Sequence, residues 1–169
     1  MLTRRNFGLA TAGLVAAAAG YRSVSSDASE ETMATSTDTA FEITKTPEEW
    51  RKILTPEQFY VLREHGTERA GSSPLDKNYA DGTYECAGCA LPLFTSDMKY
   101  DSGTGWPSFF THLPGALGTK LDFWLVVPRT EYHCARCGGH QGHVFDDGPR
   151  PTGKRYCNNG VALSFEVAS

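Results

Sequence analysis

Cysteine is scarce in this chain of 169 residues, with five in all, and the first is Cys86. None follows the early apolar stretch from Phe7 to Ala19, so lipid anchoring at that point is excluded. That stretch also falls short of the ~20 apolar residues needed to span a bilayer. Positive charge is in short supply: 16 Lys and Arg stand against 20 Asp and Glu, for a formal charge of −4. Such a balance offers no electrostatic reason to bind nucleic acid or an anionic membrane. There is no internal repeat beyond two short Cys-x-x-Cys elements.

What is present begins with Arg4 and Arg5 ahead of the short apolar stretch, with small residues following to Gly20. This fits a removable export signal over residues 1–20, and the order from Thr3 to Leu9 resembles the twin-arginine signal, whose pathway carries folded proteins. Removing it takes the formal charge from −4 to −6. Residues 21–40 are rich in Ser, Thr, Ala and acids, cannot bury enough surface to order themselves, and read as a disordered linker. The expected folded domain is 41–169, placed outside the cytoplasm, in the periplasm if the signal functions as its order suggests.

Within that domain, Thr46 and Thr55 sit at helix N-caps, each followed by a proline at N1 and by Glu49 or Gln58 at N3, the capping-box spacing. Gly66 is the expected stop of the second helix. Beyond it, aromatic and β-branched runs punctuated by Gly, Pro, Asn and Asp read as strands: GTYEC, LPLF, DFWLVV, TEYHC, GHVF and VALSFEV. The expected fold is mainly β with N-terminal helices, its small antiparallel sheets joined by loops that carry the chemistry.

Cys86 and Cys89, and again Cys134 and Cys137, place two sulfurs on a tight knuckle, the bite required for two of four tetrahedral zinc positions. Disulfides are the alternative in an exported protein, but a bond inside Cys-x-x-Cys closes a very small, redox-active loop. A four-thiolate zinc clip is the preferred reading, and four thiolates leave no open position for substrate, so the ion would be structural.

That leaves Cys157 unpaired in GKRYCNNG. Arg155 is close enough in sequence to favour its thiolate, and His140 and His143 can move protons near neutral pH. Each of these residues alone is as readily a core or turn residue. Together they reach as far as a zinc-stabilised thiol enzyme.

The blocks GTYECAGCALPLFTSDMKYDSG, YDSGTGWPSFF and RTEYHCARCGGHQGHVFDDGPRPTGKRYCNN, in this order, resemble those of the peptide methionine-R-sulfoxide reductases, from about Trp50 to Phe165. The resemblance implies Cys157 as nucleophile. His143 and His140 would act on the sulfoxide oxygen side, Asn159 would be the active-site asparagine, and Arg155 the support of the thiolate. It further implies Trp106 and Phe145 as receivers of the substrate's methyl group, and Cys86, Cys89, Cys134 and Cys137 as ligands of structural Zn2+. The implied fold is two antiparallel sheets leaning together as a tent. The implied partners are oxidised proteins or peptides and a thioredoxin-like or other thiol reductant, the enzyme itself being a monomer. Thr104 stands where many relatives carry a resolving cysteine, which points to reduction by an external thiol. Gln141, Asn158 and Gly160, with the segment RAGSSPLDKNY, depart from the usual pattern and are expected to alter how the pocket is walled. Two other readings remain: a Cys-His-Asn hydrolase, and a non-catalytic zinc-binding module.

Overall fold

Two threonine–proline steps open the fold in the computed structural model, which describes residues 41–123 and 127–169. The expected signal and linker lie outside the described residues. Helix α1 spans Pro47–Ile53 and α2 Pro56–Glu64, and both capping boxes close. Thr46 Oγ1 accepts from the Glu49 amide at 3.3 Å, while the Glu49 carboxylate accepts from the Thr46 amide at 2.8 Å. Thr55 and Gln58 repeat the exchange at 3.2 and 3.0 Å. Each box satisfies two amides that the helix start would otherwise leave unpaired. The stop of α2 differs from expectation. His65, not Gly66, takes the left-handed conformation at φ 57°, and its imidazole pairs with Glu131 at 3.2 Å, an interaction glycine cannot supply.

Among the described residues nine strands follow: β1 (Gly82–Cys86), β2 (Pro92–Thr95), β3 (Lys99–Tyr100), β4 (Ser108–Phe109), β5 (Leu117–Asp122), β6 (Arg129–Cys134), β7 (His140–Phe145), β8 (Arg155–Asn158) and β9 (Leu163–Val167). They form two antiparallel sheets, one in the order β2-β1-β9 and one in the order β3-β4-β8-β7-β6-β5. The mainly β fold with two antiparallel sheets is therefore as the sequence led us to expect. One strand is displaced. DFWLVV enters β5 only at Asp122, where the pairing that begins at Leu117↔Cys134 ends against Arg129. Phe123 and Val127 are exposed there, while residues 124–126 lie outside the described residues. The real strand, LGTKLD, carries Gly, Lys and Asp and gives a weak strand signal.

The sheets meet face to face over an aromatic core. Phe94 of β2 stacks on Phe109 of β4 with ring centroids 3.9 Å apart, and Tyr84 of β1 meets the same Phe109 edge-on at 5.1 Å. All three are fully buried. Trp50 and Leu62 bring the two helices onto this core.

Candidate active site

Strand alternation divides β6, β7 and β8 cleanly. Tyr132, Tyr156 and Asn158 face the core. On the opposite face Glu131, His143, Cys157 and Ser108 form one continuous row across β6, β7, β8 and β4, each pair being direct register partners. Phe145 and Arg155 form the next pair on that face. Partners of this kind hold their Cβ atoms about 4.5–5.5 Å apart, so the thiol and an imidazole are brought together by the ladder itself. Gly142 lets the strands come this close, since a Cβ at that position would lie 1.9 Å from the Cys157 carbonyl oxygen.

The row opens into a cavity of ≈300 Å³ whose wall includes Thr104, Trp106, His143, Phe145, Arg155 and Cys157. Asn159 also reaches the wall. Of the candidate residues on this side of the molecule, only His140 stays out of it. His140 is buried behind the row, with Nδ1 on the Glu131 carboxylate at 2.9 Å and Nε2 without a hydrogen-bond partner among the described residues. Asn159 is more committed than expected: Nδ2 donates to the Gln141 carbonyl at 3.0 Å, and Oδ1 accepts from the Glu68 amide at 3.0 Å.

Sequence reading missed three residues here. Asp122, from the weak strand β5, holds His143 Nε2 at 2.8 Å and is itself held by Arg129 at 2.9 Å. A carboxylate paired with arginine accepts hydrogen bonds, so Nε2 carries the proton and Nδ1 is the basic nitrogen. Glu68 is the third. Its carboxylate accepts from the amides of Gly160 and Val161 at 2.6 and 2.9 Å, and its carbonyl accepts from Trp106 Nε1 at 3.2 Å. The indication of its role was a single acid just past a helix end, too common to be informative.

Burial pushes the Cys157 thiol above its ordinary range, against the pull of the Arg155 guanidinium and of hydrogen bonds from Thr104 and Arg155. Arg155 thus acts in the expected direction but does not prevail. It is shared with Asp147, which takes two hydrogen bonds at 2.8 Å, and with the Phe145 ring, 4.3 Å from the guanidinium. Burial likewise lowers His143, with the Asp122 hydrogen bond opposing it, so the imidazole is neutral at neutral pH.

The other four cysteines converge from the two sheets, at the knuckles after β1 and β6. Cys86 and Cys137 sulfurs are 3.7 Å apart and those of Cys89 and Cys134 3.5 Å, and all four lie within 4.8 Å of one another. Disulfide sulfurs would sit near 2.05 Å. A tetrahedral ion with Zn–S of about 2.3 Å needs edges near ~3.8 Å, which these separations fit.

Residues 54–167 match the family model described as the SelR domain. Over 127 residues, 75% of this chain and 97% of the relative, the sequence is 51% identical to "Peptide methionine sulfoxide reductase MsrB" of Leptospira interrogans. It is also 51% identical to the protein of the same name from Agrobacterium fabrum, over 76% of this chain and 96% of the relative. Against "Peptide methionine sulfoxide reductase B1, chloroplastic" of Arabidopsis thaliana it is 53% identical, over 70% of this chain and 59% of the relative.

The chain belongs to the SelR-domain family of peptide methionine sulfoxide reductases.

As a member of that family it carries Asn158 in the cavity wall, as expected, but its other unusual residues lie elsewhere. Gln141 does not wall the cavity. The register of β6 and β7 shifts between Tyr132 and His133, making Gln141 the extra residue of a bulge, and a bulge re-aims a side chain. Gln141 turns inward and donates to Cys86 Sγ at 3.3 Å. Gly160 packs directly against the 69–79 segment. A Cβ at 160 would lie 2.1 Å from the Ser73 hydroxyl oxygen, and both residues line a neighbouring groove of ≈1010 Å³ rather than the thiol cavity. In this reductase the four-cysteine cluster is the place for a metal, and it would cross-link the two sheets behind the site.

Proposed function

We propose that the chain reduces methionine-R-sulfoxide in peptides and proteins through Cys157, and that an external thiol donor, such as a thioredoxin-like protein, then restores it. The observation that carries this reading is the direct pairing of Cys157 with His143 at the floor of a cavity also lined by Trp106 and Phe145. The aromatics form an apolar slot for the substrate's methyl group. With the methyl seated there and the oxygen turned toward His143, only one face of the chiral sulfur meets the thiol.

His143 Nδ1 takes the thiol proton, and the sulfur of Cys157 attacks the sulfoxide sulfur as the proton passes to the sulfoxide oxygen. The S–O bond of the substrate breaks, methionine leaves as a thioether, and the oxygen remains on the enzyme as a cysteine sulfenic acid. One sulfur is oxidised by two electrons as the other is reduced. A donor thiol then attacks the sulfenic sulfur, releasing water and forming a mixed disulfide, and a second donor thiol frees Cys157 with a disulfide on the donor. Bound Zn2+ would supply a structural cross-link, and no step passes through it. We further assign residues 1–20 as the export signal and 21–40 as a linker, placing the enzyme outside the cytoplasm.

The hydrolase alternative needs Asn159 to orient the histidine. Its amide is instead bonded to Gln141 and Glu68, and the partner of His143 is Asp122. The deciding experiment is turnover of the separated R and S diastereomers of a blocked methionine sulfoxide, with an ester as control, by wild type and Cys157→Ser. We expect R-specific reduction that Cys157→Ser abolishes. Turnover of both diastereomers alike, ester cleavage, or activity surviving in the variant would overturn it.

A further inference from the structure

We infer that Gln141 is a positioning residue that links the four-cysteine metal cluster to the strand carrying Cys157. The link is a chain of buried hydrogen bonds. Gln141 Nε2 donates to Cys86 Sγ at 3.3 Å, and Gln141 Oε1 accepts from Asn158 Nδ2 at 3.2 Å. Asn158 Nδ2 also donates to the Asn159 carbonyl at 2.8 Å, and its Oδ1 accepts from the Tyr132 hydroxyl at 2.8 Å. Gln141, Asn158 and Tyr132 are fully buried, and Asn158 is the residue next to the nucleophile.

Two features make this more than two amides sharing a core. The first is direction. Once a metal holds Cys86 as thiolate, the Gln141 N–H becomes a charge-assisted donor to a ligand atom, and such outer partners orient ligands and tune their charge. The second is mutual dependence. Either amide alone would leave a buried polar group unpaired, at ~1–3 kcal/mol. The bulge in β7 serves the same end by turning Gln141 inward. The pair therefore reports the state of the cluster to Asn158, and from there to the backbone of Cys157. This inference rests on metal occupancy of the cluster and not on the sulfoxide chemistry.

The test uses the zinc-loaded full chain and its cadmium-113 form, read by NMR and by metal loss to a chromogenic chelator. In wild type we expect scalar coupling between cadmium-113 and a Gln141 Nε2 proton. We also expect the Asn158 side-chain amide signals to move when zinc is exchanged for cadmium. In Gln141→Leu those Asn158 signals become insensitive to the exchange, and zinc is held on the order of 10- to 100-fold more weakly. Absence of the coupling, or Asn158 signals unmoved by the exchange in wild type, overturns the inference. So does wild-type zinc retention in Gln141→Leu. The two wild-type measurements decide the matter even if the variant does not fold.

Discussion

Cys157 and His143 are direct register partners across the antiparallel pair β7–β8, and Asp122 grips the far nitrogen of His143 at 2.8 Å. The proposed nucleophile and its proposed proton carrier thus sit on adjacent strands of one sheet, not on loops, and the ladder fixes their separation. Sites built on regular elements hold their geometry better than sites on loops.

His143→Gln is expected to lower kcat/KM by roughly 100- to 10,000-fold, the range for loss of a positioned acid–base group. Asp122→Asn should lower it less. The pH profile carries the sharper test. Burial lowers His143 and the Asp122 hydrogen bond partly offsets that, so losing the carboxylate lowers it further. In the proposed reaction neutral His143 is the base, so activity is expected to fall as pH drops through its pKa. The acid limb of kcat/KM should therefore move to lower pH in Asp122→Asn. A limb that stays in place would separate His143 from the observed ionisation.

Cys157 titrates in the opposite sense. Burial raises the thiol while Arg155 and Thr104 pull it down, so thiolate appears only as pH climbs past the ordinary thiol value near ~8.5. Alkylation of Cys157 by iodoacetamide should show its midpoint above that value. Arg155→Met removes a cation and leaves Asp147 in place, which shifts the midpoint higher still and slows alkylation near neutral pH by about tenfold. A midpoint at or below the free-thiol value would contradict the balance described here.

What could be read in the sequence, and what could not, follows from how each feature is encoded. The capping boxes of Thr46 and Thr55 are local, fixed by spacing within four residues. The two Cys-x-x-Cys knuckles are equally local, and their convergence follows from the need to complete one tetrahedron. Asp122 was illegible because its partnership with His143 spans 21 residues and depends on the register of an edge strand with weak propensity. Gln141 was misplaced for a related reason: a single bulge reverses the face that strict alternation would assign. His140 and His143, three apart in one motif, look equivalent in sequence, yet one lines the cavity and the other lies behind it.

Thr104 shares the cavity wall with Cys157, and its hydroxyl is among the groups that favour the thiolate. A thiol at that position is therefore within reach of a sulfenic acid on Cys157. Thr104→Cys is expected to form an intrachain disulfide with Cys157 after one turnover, visible by mass spectrometry as loss of water from the sulfenic form. The wild-type chain should form none with metal retained. A persistent sulfenic acid in the variant would mean that the two side chains cannot meet at disulfide geometry.

Glu131 governs behaviour in acid. Burial alone would raise its carboxyl, but hydrogen bonds from His140 and His65 and the Lys120 ammonium at 3.2 Å reverse this and hold it well below the ordinary carboxylate range. A carboxyl depressed in the folded state contributes stability above its unfolded value, near ~4.3, and that contribution is lost as pH falls below it. Thermal unfolding should therefore show Tm dropping below about pH 4 in wild type. Glu131→Gln should flatten that limb and cost about 1–2 kcal/mol near neutrality, because hydrogen bonds to the buried carboxylate are replaced by weaker ones to a neutral amide. An unchanged acid limb in the variant would assign the loss to other carboxylates.

Glu68 is expected to act on substrate binding through Trp106. Its carboxylate fixes the amides of Gly160 and Val161, its own amide bonds Asn159, and its carbonyl receives the Trp106 indole. One residue thus ties the Trp106 indole to the loop that follows Cys157. If the slot receives the methyl group as proposed, it grips it in ground state and transition state alike, and losing such uniform binding raises KM with little change in kcat. Glu68→Ala should raise KM for a peptide sulfoxide about tenfold while kcat stays within a small factor. Burial raises this carboxyl, with the two backbone amides opposing, so it protonates above the ordinary carboxylate range as pH falls. In wild type KM should then climb in mild acid, and in Glu68→Gln that climb should vanish, since the amide has no proton to gain. A fall in kcat with KM unchanged would instead place Glu68 in support of the reacting groups.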